Sequence, residues 1–131
     1  MAIAVVCVLS VLESVSRLGA ERGDTRDGYG VESTIDRMAS ARSLLPPGAR
    51  VAYLSNLRPN DTSAGTLAFL TAQYALVPAV LVLADKAHGA EWAVGNFSSP
   101  RVDSRAFGEA AGFEMVRDCG RGIAVYRRKG G

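Results

Sequence analysis

Residue types that carry chemistry are sparse in this chain of 131 residues. It has one histidine, His88, and two cysteines, Cys7 and Cys119. No Cys-x-x-Cys pair and no Cys/His spacing suited to zinc is present. A bond between Cys7 and Cys119 would tie the N-terminus to the rest of the chain, but two lone thiols fix no redox compartment. Neither Gly-x-Gly-x-x-Gly nor a Gly-x-x-x-x-Gly-Lys-Ser/Thr loop occurs, which removes the two common phosphate cradles. No Gly-x-Ser-x-Gly elbow precedes His88, so a catalytic triad has no support, and His88 in "KAHGAE" reads as an exposed turn residue. Charge of one sign is also scarce. The formal net charge is +2 and the basic residues are scattered, which gives no electrostatic footprint for nucleic acid. The one basic run, Arg127-Arg128-Lys129, reads as a solvated tail. There is no internal repeat and no low-complexity tract.

What the chain does have is apolar sequence. It is 48% hydrophobic and 21% charged, and its length suits one domain that buries a core without disulfides or metals. Two stretches raise the question of a membrane. From Met1 to Leu12 there is no charge. As a helix this run covers ~18 Å, against a hydrocarbon core of about 30 Å. Glu13 and Arg17 are spaced to pair, and snorkelling of Arg17 would extend the span to about residue 18. Residues 1–18 therefore read as a membrane anchor or the remnant of one. A buried amphipathic helix and a signal peptide without its basic region are the rival readings. The second stretch, Thr62 to Ala84, is also uncharged. Here Pro78 divides a helix-leaning half, rich in Ala and Leu, from the β-branched "AVLVLA". A buried helix followed by a buried strand explains both halves, and a membrane span does not.

Along the chain, residues 19–30 carry four glycines and alternating charges and read as a linker, which leaves 31–131 as the domain. Val31, Ile35, Met38 and Leu45 recur at helical spacing, and Pro46-Pro47-Gly48 ends that helix. "ARVAYLSN" is a strand with Val51 and Tyr53 on one side and Ala52 and Leu54 on the other. A helix follows from about Ser63 to Leu76, capped by Asn60, Asp61 or Thr62, with Leu67, Leu70, Tyr74 and Val77 expected as its inner stripe. Then come the strands "AVLVLAD" and "WAVGNF", a helix capped by Asp103 or Ser104 and stopped at Gly112, and a hairpin turning at Gly120-Arg121-Gly122. This order predicts an α/β three-layer sandwich. Its small, mixed and mostly parallel sheet is closed by a C-terminal antiparallel hairpin and preceded by N-terminal helices.

The segments "SLLPPGARVAYLSN", "LTAQYALVPAVLVL", "AEWAVGNF" and "GRGIAVYRR" together resemble the small extracytoplasmic α/β domain of uncharacterised bacterial membrane proteins. That domain is similar to the C-terminal soluble domain of polytopic membrane glycosyltransferase-like proteins. The resemblance covers about residues 44–128 and consists of fold signatures, without a catalytic motif. It implies a membrane-associated accessory or interaction domain that has no catalysis of its own, is held to the membrane through residues 1–18, and has another membrane protein as candidate partner. It implies an extracytoplasmic domain, whereas Arg17, Arg22 and Arg26 after a single span would place it in the cytoplasm. A soluble cytoplasmic protein is the alternative.

The best candidate site is the loop after the first strand, where open parallel sheets place ligands. Ser55, Asn56, Arg58, Asp61 and Thr62 would bind a small anionic ligand such as a sugar-phosphate or nucleotide, with Arg58 supplying charge beside a helix N-terminus. Gly65 alone is a weak signal there. Asp61, Asp85 and Asp103 would share one sheet edge if their strands were parallel, but their spacing does not require a divalent cation. No cofactor, metal or catalytic residue is assigned.

Overall fold

The computed structural model describes residues 31–130; the expected helix at 1–18 and linker at 19–30 lie outside the described residues. Among those described, α1 (Val31–Leu44) leads into β1 (Arg50–Leu54), α2 (Ser63–Leu76) and β2 (Val80–Leu83). A 3-10 turn (Ala84–Lys86) precedes β3 (Trp92–Asn96), α3 (Ser104–Ala110), β4 (Phe113–Gly120) and β5 (Ile123–Arg128). The strands form one sheet in the order β2-β1-β3-β5-β4, parallel across β2-β1-β3 and antiparallel across β3-β5-β4. The expected mixed α/β sandwich is therefore the observed fold.

Alternation along β1 divides the core. Val51 and Tyr53 join Met38 and Ala41 of α1 and Ala72, Ala75 and Leu76 of α2 on one face. Ala52 and Leu54 join Ala87, Ala90, Phe97 and Tyr126 on the other, where α3 adds Phe107. The segment between β2 and β3 thus covers the second face where a crossover helix would otherwise lie. Arg128 fastens it: its guanidinium donates from Nε to the Ala90 carbonyl (2.7 Å) and from Nη2 to the Ala87 carbonyl (3.2 Å). Arg127 lies over the Trp92 ring. Two members of the basic run at 127–129 are therefore structural, not a solvated tail.

Two expected stripes are corrected. On α1 the buried positions are Thr34, Met38 and Ala41, while Ile35 is exposed. On α2 they are Gly65, Thr71, Ala72, Ala75 and Leu76. Tyr74 and Val77 are 41% and 43% exposed, so the Leu67–Leu70–Tyr74–Val77 row faces outward. The inner face is built from small residues that let α2 approach the sheet and α1 closely. Gln73 adds a polar contact. Its Nε2 donates to the Ala79 carbonyl (2.9 Å) and its Oε1 accepts from the Leu81 N–H (2.7 Å), both groups on the side of β2 away from β1. The side-chain amide does there what a neighbouring strand would do.

Candidate functional site

The loop between β1 and α2 is fixed by its own side chains. Ser55 Oγ accepts from the Leu57 N–H (3.1 Å). Asn56 donates from Nδ2 to Ser98 Oγ (2.7 Å) and accepts from the Ser98 N–H (3.0 Å), which joins the loops after β1 and β3. The Asp61 N–H donates to the Arg58 carbonyl (3.3 Å), and Asn60 takes a left-handed conformation at φ 76°. Thr62 is the helix cap, its Oγ1 accepting from the Gly65 N–H (3.0 Å). The Arg58 carbonyl then rests against Gly65 so closely that a Cβ there would run into it. Gly65 is explained by this backbone approach, without a phosphate.

These contacts hold Arg58, Pro59, Asn60 and Asp61 as one wall of a cavity of about 510 Å³ at the carboxyl ends of β1 and β2. Leu83, Ala84, Asp85 and Lys86, at and after the end of β2, also line it, together with Phe107 of α3. Of the five residues expected to bind, Ser55, Arg58 and Asp61 line the cavity. Asn56 and Thr62 do not: one clamps Ser98 and the other caps α2. Asn60, Asp85, Lys86 and Phe107 add to the lining, and Tyr53 and Leu54 of β1 contribute to it as well. Asp85 was legible as the end of the strand "AVLVLAD", the position where ligands meet parallel sheets, whereas Lys86 read only as the start of the following turn. Phe107 comes from a distant helix and left no local signal.

Beside the cavity lies a polar chain. Arg37 donates from Nη2 to Asn96 Oδ1 (3.1 Å) and to the Arg121 carbonyl (3.0 Å). Asn96 Nδ2 donates to the Tyr53 hydroxyl (3.1 Å). Burial pushes the Tyr53 phenol up, opposed by its hydrogen bonds with Asn96 and Ser55 and by the nearby Arg37 charge. Burial and the neighbouring Arg121 lower the guanidinium pKa of Arg37. The buried Asn96 is satisfied at both ends, so the chain serves to dock α1 on β3 and the hairpin turn.

The remaining acid–base candidates do not meet. Asp85 lines the cavity described above, whereas His88 lines a separate one with Arg50, Glu91 and Trp92 at the opposite end of the sheet. Asp103 Oδ1 accepts from the Ala106 N–H (3.0 Å) as the cap of α3. Among the described residues no group of three or more His, Cys, Asp or Glu is placed to hold a metal ion, and no helix is long and apolar enough to cross a membrane. No protein-family model, no curated protein and no solved structure matches this chain.

Proposed function

We propose that the domain binds a small phosphorylated, hydroxyl-bearing ligand, a sugar-phosphate or nucleotide, without transforming it. One observation carries this reading: the cavity at the carboxyl ends of β1 and β2 gathers two cations, Arg58 and Lys86, two carboxylates, Asp61 and Asp85, and an aromatic wall, Phe107. The cations suit phosphate oxygens, Arg58 through its planar fork and Lys86 as a point charge. The carboxylates are acceptors suited to sugar hydroxyls. Phe107 offers an apolar face to a sugar or base. The binding-only reading is supported by the separation of Asp85 from His88, which lines another cavity, and from Asp103, which caps α3.

The test is an amide-shift titration of the full chain with inorganic phosphate, ribose 5-phosphate and AMP. Saturable shifts confined to residues 55–61 and 84–86 support the proposal, and Arg58→Ala is expected to weaken the tightest ligand about tenfold or more, as for a charge-assisted contact of ~1.5–3 kcal/mol. No shift in those segments at millimolar ligand defeats it. A membrane-tethered accessory role is the rival proposal. It rests on residues 1–18, outside the described part.

A further inference from the structure

A line of hydrogen bonds runs from α1 to the ligand cavity, and its direction is fixed at the outer end. The Arg37 guanidinium has only protons to give. Its Nη2 donates to Asn96 Oδ1 (3.1 Å), so the Asn96 amide turns its other end inward, where Nδ2 donates to the Tyr53 hydroxyl (3.1 Å). One lone pair of that hydroxyl is then taken, and its proton remains to be placed. The second side-chain partner of the Tyr53 hydroxyl is Ser55, two residues on and in the lining of the cavity.

Two hydroxyls can bond in either direction, and burial decides between them. Tyr53 is 3% exposed, whereas Ser55 is only half-buried. If Ser55 gave its proton to Tyr53, the phenol proton would be stranded in the core, which is costly. If Tyr53 gives its proton to Ser55, the proton left over is that of Ser55, at the cavity, where water or a ligand takes it. Ser55 Oγ also accepts from the Leu57 N–H (3.1 Å). Both of its lone pairs are then occupied, one by Tyr53 and one by Leu57. Toward the cavity Ser55 has a proton to give and no lone pair with which to accept.

We propose that Arg37, Asn96 and Tyr53 are positioning residues that hold Ser55 as a pure hydrogen-bond donor, so that the phosphate of the ligand sits at Ser55 and Arg58. Phosphate oxygens are strong acceptors, and here they meet two groups that only donate. Asp61 and Asp85, as carboxylates, only accept, and they take the hydroxyl-bearing part of the ligand. The hydrogen-bond line thus gives the ligand an orientation that the cavity lining alone leaves open. This orientation rests on the phosphorylated-ligand reading of the cavity.

The test is an amide-shift titration of the full chain and three variants with inorganic phosphate and with ribose 5-phosphate. Ser55→Ala is expected to weaken both ligands about tenfold and to the same extent, because the lost contact is to the phosphate they share. Ser55→Thr keeps the hydroxyl and is expected to stay within about threefold of the parent. Tyr53→Phe is expected to weaken both ligands about threefold or more in the parent and to have no further effect beside Ser55→Ala, the signature of a residue that acts through another. Several results overturn the proposal. Ser55→Ala that weakens ribose 5-phosphate and spares inorganic phosphate puts Ser55 on a sugar hydroxyl. Ser55→Thr as weak as Ser55→Ala denies the hydroxyl its role. A Tyr53→Phe loss that persists in full beside Ser55→Ala assigns Tyr53 to packing alone. Phosphate binding by the parent that Ser55→Ala leaves unchanged defeats the orientation only, whereas no binding by the parent defeats the binding reading and the orientation with it.

Discussion

Replacing Gln73 with alanine tests whether one side-chain amide completes the outer edge of β2. Two hydrogen bonds disappear, to the Ala79 carbonyl at 2.9 Å and from the Leu81 N–H at 2.7 Å. Ala79 and Leu81 are only 3% and 6% exposed, so water replaces the amide poorly. Each net hydrogen bond contributes ~0.5–1.5 kcal/mol, and each stranded buried group adds ~1–3 kcal/mol. Gln73 itself is half-buried and admits some water, and alanine regains a few tenths of a kcal/mol in helix propensity. The expected loss is therefore ~2–3 kcal/mol. With a urea slope of about 1–3 kcal/mol/M, the unfolding midpoint followed by far-ultraviolet circular dichroism falls by roughly 1 M or more.

Gln73→Glu sharpens the same test. A carboxylate still accepts from the Leu81 N–H but has no proton for the Ala79 carbonyl, whereas the protonated acid serves both. The folded state thus prefers the protonated form, and the pKa of the introduced acid is raised above its unfolded value of about 4.3. That contribution is fully present below about pH 4.3 and is lost as pH rises through the raised folded value. Two results refute the reasoning: a loss under ~0.5 kcal/mol for Gln73→Ala, smaller than one net hydrogen bond, or a Gln73→Glu deficit that does not change with pH through that window.

Two further outcomes follow from neighbouring contacts. Burial pushes the Tyr126 phenol up to about 12, and its hydroxyl donates to the Ser104 carbonyl at 2.7 Å; the unfolded phenol titrates near 10, so stability is expected to fall as pH rises from about 10 through about 12, with phenolate absorbance lagging in the folded chain and the lag lost in Tyr126→Phe. Gly65→Ala is expected to destabilise by ~1–3 kcal/mol, against the usual gain for Gly→Ala in a helix, because the new Cβ meets the Arg58 carbonyl; a urea midpoint equal to or above that of the parent chain contradicts the packing, and phosphate titration of the variant reports whether the Arg58 wall shifts with it.

The order of elements was legible because local signals agree along the chain. Pro46-Pro47-Gly48 stops α1, Thr62 caps α2, Asp103 caps α3, and Gly120-Arg121-Gly122 turns the hairpin. Alternation in "VAYL" correctly separated the two faces of β1. Part of the cavity lining was legible as well, since a polar loop after the first parallel strand carries three of the five expected residues, Ser55, Arg58 and Asp61, to the cavity. The role of Asn56 was not legible, while the sequence offers Thr62 both as a cap of α2 and as a ligand contact. Asparagine and threonine serve ligands and backbone caps equally well by chemistry, and only the positions of Ser98 and Gly65 decide between them. In the hairpin, register shifts between Met115 and Arg117 and between Asp118 and Gly120 interrupt the simple alternation, and neither leaves a mark in composition.

The reversal of α2 has a more general cause. Periodicity finds a helix and its large apolar row, and the usual inference is that the larger row is buried. Here the constraint is distance rather than hydrophobicity alone. The inner face meets the sheet and α1 together, and Gly65, Thr71, Ala72 and Ala75 leave room for that approach, with Leu76 and Phe69 filling the gap against Tyr53 and the strands. Leu67, Leu70, Tyr74 and Val77 are too large for the same role and turn outward. An uncharged helix with two apolar faces, one small and one large, thus turns the small one to the sheet and the large one outward, because close approach to the strands and to α1 decides which face is buried.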